Sequence, residues 1–146
     1  MKKGTGELLE RLRKVPDLSA YIKEASDDMI EPVPLSDYLN QMLEKRGLEK
    51  RQVICDSGLD RKYGYEIFGG GKRPSRDKVL ALCFGMKLTC DEVQELLKRT
   101  EYLPLYPKYE RDSIILFGFC QNLSLRDVND LLYEMNQTII DDKSTK

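Results

Sequence analysis

One segment of this chain occurs twice, and that repetition narrows its possible folds more than any other feature. Lys87-Leu-Thr-Cys-Asp-Glu-Val-Gln-Glu-Leu-Leu97 aligns with Asn122-Leu-Ser-Leu-Arg-Asp-Val-Asn-Asp-Leu-Leu132. Upstream, Asp77, Val79, Leu80, Leu82 and Phe84 align with Asp112, Ile114, Ile115, Phe117 and Phe119, so the period is 35 residues, as from Lys87 to Asn122. Apolar residues recur inside each unit at steps of three and four, the spacing of a helix face. A unit of this length is one helical hairpin, too small to bury its stripe alone, so the two copies must find cover. Thr89 with Glu92, and Ser124 with Asp127, are capping-box signals for the second helix of each hairpin, aspartate being the weaker partner.

Helical signals also fill the segment before the repeat. From Ser36, Leu39, Met42 and Leu43 share one face of a helix that Gly47 closes in a left-handed cap, with Leu48 folding back. A short helix is predicted from about Glu49 to Ser57. Gly58 then supplies a turn, Leu59 drops into the core, and Asp60 caps a third helix running to Phe68, where Gly69-Gly70-Gly71 stops it. Tyr63, Gly64, Ile67 and Phe68 fall inward by their spacing, while Arg61, Lys62, Tyr65 and Glu66 fall outward. Arg61 and Lys62 thus stand in the first turn, where exposed N–H groups already carry partial positive charge. Their placement disfavours the free helix.

The ordered set Gly47-Leu48, Val53-Ile54, Ser57-Gly58-Leu59, Asp60-Arg61-Lys62, Ile67, Gly70 and Lys72-Arg73-Pro74-Ser75 resembles the helix-turn-helix family of phage repressors and Xre-type bacterial regulators, over about residues 35–88. The resemblance implies a bundle of about five helices whose third enters the DNA major groove. It departs from the family at Gly64 and Phe68, where a branched aliphatic residue and a glutamate are usual, and in its triple glycine. That glycine run admits two readings, close approach to a phosphate or a plain helix stop.

Under this resemblance, the expected DNA-binding residues are Arg61, Lys62, Tyr65 and Glu66 on the third helix. Lys50 and Arg51 at the start of the second helix, with Lys72, Arg73 and Arg76 at the approach to the fourth, are expected phosphate clamps. The competing reading makes Arg61 and Lys62 solvated cations, with Lys62 and Glu66 an i, i+4 pair.

Charge agrees with a local rather than a global field. The net charge is −1, yet residues 35–80 hold ten cations against seven carboxylates, leaving both flanks net acidic. Cys55, Cys83, Cys90 and Cys120 form no C-x-x-C pair, and there is no histidine. The expectation is buried free thiols in a reducing compartment, with no metal and no cofactor; a four-cysteine metal site or disulfides are the alternatives. No nucleophile or acid/base motif is recognisable, so no enzyme is expected. No apolar run approaches a membrane span of about 20 residues, and Lys2-Lys3 precedes no apolar signal core, which predicts a cytoplasmic protein without membrane contact.

The expected organisation is all-α: an N-terminal helical arm over 1–34, a repressor-like helix-turn-helix bundle over 35–100, a C-terminal helical hairpin over 101–140, and a disordered tail over 141–146. Ile114 to Cys120 is apolar nearly all round and reads as a buried helix. Tyr102-Leu-Pro-Leu-Tyr-Pro107 reads as an apolar, proline-fixed connector that either packs along the hairpins or is covered by a partner. Two functions compete. One is a sequence-specific regulator binding double-stranded DNA as a homodimer; the other is an adaptor binding a protein partner through the connector and C-terminal hairpins.

Overall fold

The computed structural model describes residues 4–140; the expected tail over 141–146 lies outside them. Among the described residues there are nine α-helices and no strand, so the chain is all-α. It divides between Glu31 and Pro32 into two compact units. No helix of the described residues is long and apolar enough to cross a membrane.

The N-terminal unit holds α1 (Thr5–Lys14), α2 (Leu18–Glu24) and a single 3-10 turn, Ser26–Asp28. α1 stops at Lys14 because Val15 precedes Pro16 and takes the extended conformation that proline imposes on its neighbour. Asp17 caps α2 by accepting from the Ser19 N–H at 3.3 Å, and Arg11 pairs with Glu24 across the two helices. None of α1 is buried, and Leu9, Leu12, Leu18 and Ile22 are exposed.

The second unit runs through α3 (Leu35–Arg46), α4 (Lys50–Asp56), α5 (Arg61–Phe68), α6 (Arg76–Gly85), α7 (Cys90–Arg99), α8 (Glu110–Cys120) and α9 (Leu125–Glu134). It begins at Pro32 because the Val33 N–H donates to the Arg99 carbonyl at 2.8 Å, tying the Pro-Val-Pro stretch to the end of α7. Gly47 closes α3 at φ 64°, and the Leu48 N–H reaches back to the Leu43 carbonyl at 2.9 Å, satisfying a carbonyl the helix end leaves open. Leu39, Val53, Ile54, Ile67, Phe68, Leu80 and Leu82 form one core with Leu96, Leu97, Ile115 and Leu132.

The repeat extends further than the eleven-residue match. Gln94 clamps the Leu105 backbone, its Nε2 donating to the carbonyl at 2.7 Å and its Oε1 accepting from the N–H at 2.8 Å. Asn129, one period on, clamps Ile140 in the same way at 3.0 and 2.7 Å. Each unit is therefore two helices and a returning segment pinned by an amide side chain.

The units do not stack head to tail. Arg76 Nη1 and Nη2 donate to Asp112 Oδ1 and Oδ2 at 3.2 and 2.8 Å, while Arg111 Nη1 and Nη2 donate to Asp77 Oδ1 and Oδ2 at 3.1 and 2.9 Å. Phe84 stacks on Phe119, its own counterpart, with ring centroids 3.9 Å apart. α6 touches α9, and α7 touches α8. Reciprocal contacts of this kind define a pseudo-two-fold axis, the isologous arrangement of a symmetric dimer written within one chain. α6 and α8 thus meet start to start and end to end.

That symmetry explains why α8 is less buried than its composition suggests. α4 covers α6, so Leu82 is fully buried, whereas nothing among the described residues takes the equivalent place on α8, and its counterpart Phe117 is 51% exposed. Connector packing is likewise partial: Leu105 is buried and the Tyr102 hydroxyl donates to the Pro74 carbonyl at 2.6 Å, but Leu103 and Tyr106 face solvent.

Candidate nucleic-acid interface

The candidate interface is built on α4, the turn after it, and α5. Ser57 closes α4 with its hydroxyl donating to the Ile54 carbonyl at 2.8 Å. Gly58 follows at φ 75°, a conformation that side chains disfavour, and it sends the buried Leu59 into the core. The Asp60 carboxylate then accepts from the Tyr63 N–H at 3.1 Å and opens α5.

Gly64 lets α4 and α5 approach closely. A Cβ there would stand 2.5 Å from Ile54 Cγ2, so a branched residue cannot occupy this site against isoleucine. Phe68 is buried, its carbonyl accepts from Asn40 Nδ2 at 2.8 Å, and its ring lies 5.5 Å from Lys50 Nζ. The glycine run ends α5 with Gly70 at φ 84° and the Gly71 N–H donating to the Glu66 carbonyl at 2.9 Å. This is a helix stop of the Schellman kind.

The inward set expected for α5 is buried or half-buried, and Arg61, Lys62 and Tyr65 are exposed with Glu66 half-exposed. No ion pair joins Lys62 to Glu66 among the described residues. A concavity of about 1080 Å³ lies against the turn, lined by Arg51, Arg61, Lys72, Arg73 and Lys78, with only Asp60 and Glu66 in opposition. Cations from four separate stretches of chain therefore converge on one surface. Lys62 and Tyr65 share the outer face of α5 with Arg61 and Glu66.

Three expected clamps are engaged elsewhere. Arg73 lines the concavity, but its guanidinium lies 4.2 Å from the Tyr102 ring centroid and Nη2 donates to the Thr100 carbonyl at 3.0 Å. Arg76 adds bonds to the Leu103 and Pro104 carbonyls, at 2.8 and 3.0 Å, to its fork on Asp112. Nearly all its donors are used inside the protein. Burial pushes the Asp112 carboxyl pKa up, but the Arg76 fork and the Tyr106 N–H outweigh it and hold the group below the usual aspartate range. Lys50 is half-buried against Phe68 and does not line the concavity with Arg51.

Lys78 was not singled out by spacing. It is buried, with Nζ 5.0 Å from the Tyr63 ring, and contributes to the positive lining. Its position three residues after the Ser75 cap was visible in the sequence, but its proximity to Tyr63 depends on how α5 and α6 pack. Of the four cysteines only Cys83 is buried, and burial pushes its thiol far above the usual range; Cys55 and Cys120 are exposed and Cys90 is half-buried. Cys83 sits on the face of α6 inside the core, whereas the others lie at helix ends, where burial is incomplete. Comparison with protein-family models, curated proteins and solved structures found no match to this chain.

Proposed function

We propose that this chain is a double-stranded DNA-binding transcriptional regulator of the Xre type, with α4, the Gly58 turn and α5 acting as the helix-turn-helix and α5 as the recognition helix. The observation that carries the reading is the pair Arg61 and Lys62, exposed in the first turn of α5 beside a concavity lined by Arg51, Lys72 and Arg73. Two cations at a helix N-terminus oppose the helix dipole and weaken the free protein slightly. Phosphates or guanine edges reverse that cost. Arg61 and Lys62 act as base or phosphate contacts, Tyr65 and Glu66 complete the groove-facing surface, and Arg51 and Lys72 hold the backbone. One module reads only a short half-site, so the protein acts as a homodimer on DNA.

Selection of binding sites from random duplexes tests this reading. A recovered palindromic or pseudo-palindromic site, with light scattering giving two chains per duplex, is the expected result; no enrichment at low salt overturns it. A second reading, an adaptor for a protein partner, draws on the exposed Leu103, Tyr109, Phe117 and Tyr133 of the connector and second hairpin. Retention of partner binding by a chain lacking Arg61 and Lys62, without any duplex binding by the parent, is the outcome that favours it.

A further inference from the structure

The N-terminal unit carries more apolar surface than it hides. Of its described residues only Tyr21 and Ala25 are buried, while Leu9 and Leu12 on α1 and Leu18 and Ile22 on α2 are 40% to 62% exposed. The members of each pair stand three or four residues apart, so each helix presents one apolar stripe. With Glu31 as its last residue, the unit is shorter than the roughly 40 residues below which a fold usually needs a disulfide, a metal or a partner subunit. Its sequence holds neither cysteine nor histidine, and no cluster of metal-ligating side chains occurs among the described residues. A partner subunit is what remains.

The charges of α1 say which partner fits. Its carboxylates, Glu7 and Glu10, stand in the first half of the helix, and Arg11, Arg13 and Lys14 in the second. Arg11 is engaged with Glu24 of α2, whereas Arg13 meets Glu10 in an i, i+3 pair at 3.2 Å with the side chains 65% and 54% exposed. A pair so open to water contributes little and is free to exchange. Laid parallel on a second copy, α1 would set acid against acid and base against base. Laid antiparallel about a two-fold axis, it sets the acidic half against the basic half twice over, with the two helix dipoles opposed.

We propose that the N-terminal unit is a self-association module in which the Leu9–Leu12 stripe of α1 packs antiparallel on the same stripe of a second copy. Glu10 exchanges its own Arg13 for Arg13 of the second copy, once on each side of the axis, and Leu18 and Ile22 add apolar cover from α2. Two such units make a four-helix bundle that buries what each leaves open. The contact is made without DNA and does not depend on duplex binding, although it supplies the dimer that a regulator reading two half-sites calls for.

Sedimentation of the full chain in the absence of DNA, over a range of micromolar concentrations, tests the contact. The parent should be a reversible dimer, and the double variant Leu9→Ser/Leu12→Ser should associate about tenfold more weakly or worse. Because nothing on α1 is buried, the second unit of that variant should melt as in the parent. Two charge variants make the assignment specific. Glu10→Arg leaves two cations on this part of α1 and Arg13→Glu two carboxylates, so each alone should dimerise several-fold more weakly than the parent, and an equimolar mixture should recover a dimer holding one of each. A parent that stays monomeric throughout overturns the proposal. So does a mixture no more dimeric than its components, or a dimer indifferent to these changes and lost instead in Phe117→Ser, which would move the contact to the exposed face of α8. Selection from random duplexes judges the DNA reading separately: a dimer of the expected behaviour without duplex enrichment sinks that reading and upholds this one.

Discussion

Arg76 grips both carboxylate oxygens of Asp112 across the repeat seam, and one period later Arg111 grips Asp77 in the same manner. Each arginine stands next to the aspartate that its counterpart holds, so the two forks form a closed reciprocal pair at the helix starts. The Arg76 fork is the drier of the two, its side chains 21% and 8% exposed against 23% and 30% for Arg111 and Asp77. It is also the one that draws a third donor, the Tyr106 N–H at 2.8 Å.

Acid stability follows from that geometry. A carboxyl whose folded pKa lies below its unfolded value contributes stability that is present above the unfolded pKa and is lost as pH falls through the folded one. Asp112 is such a group. Asp112→Asn should cost about 2 kcal/mol at neutral pH by leaving Arg76 without its charge partner. The parent should lose its advantage over the variant as pH falls below the ordinary aspartate range near 4. Denaturant unfolding at a series of pH values checks this; a constant difference between the two proteins refutes the linkage.

Arg76 and Arg61 should separate stability from binding. Arg61→Ala and Lys62→Ala should leave thermal unfolding nearly unchanged and weaken duplex binding, by about 1–3 kcal/mol and with altered sequence preference where a base contact is lost. Arg76→Ala should lower the unfolding midpoint first. Calorimetry and fluorescence anisotropy on the same preparations distinguish the two classes, and normal duplex affinity in the Arg61/Lys62 double variant removes α5 from the recognition role.

Gly64→Ala sets helix propensity against packing. Alanine should gain about 1 kcal/mol for α5 as a helix, but its Cβ meets Ile54 Cγ2 at 2.5 Å. Overpacking of this kind costs about 1–3 kcal/mol, so the net effect should be destabilising. Ile54→Ala removes the obstacle while opening a cavity, so the double variant should be more stable than the sum of the single losses. A double-mutant cycle with no favourable coupling denies that the two side chains share the space.

Truncation after Thr100 should be more damaging than the removal of an independent hairpin. It takes away Asp112, Phe119, Tyr102 and Leu105, leaving Arg76 without its partners and Arg73 without the Tyr102 ring, and returning apolar surface to water at about 25 cal/mol per Å². A fragment that still folds should keep the slope of log duplex affinity against log salt, about 0.9 for each phosphate contacted, because the cationic concavity lies before residue 80. A folded fragment whose slope collapses shows that the second hairpin helps hold the nucleic acid.

Much of this fold is written locally. Asp60, Ser75, Thr89 and Ser124 each accept from the backbone N–H three residues ahead, so the starts of α5, α6, α7 and α9 could be read from adjacent residues alone. Only Thr89 completes a capping box, because the Glu92 side chain reaches back to the Thr89 N–H at 2.9 Å and aspartate is the shorter arm. Gly47 and Gly58 adopt the positive φ that their places demand, and the repeat period identified the second hairpin. These features depend on neighbours within a turn of chain, which is why spacing reveals them. The exposure of Arg61 and Lys62 followed from helical periodicity in the same way.

Tertiary structure alone decided where the longer-range charges and apolar faces went. Arg73 and Arg76 look identical to Lys72 in sequence, as cations in a loop before a helix, yet their partners lie 27 to 36 residues away. A repeat can stack in line or pair about an axis with the same residue pattern, and only the crossed Arg–Asp contacts select the second arrangement. Phe117 and Leu82 occupy the same repeat position with opposite exposure because α4 covers one copy and has no counterpart over the other. Side-chain chemistry and spacing set what each residue could do; three-dimensional neighbours, distant in the chain, determined which of those possibilities each one adopted.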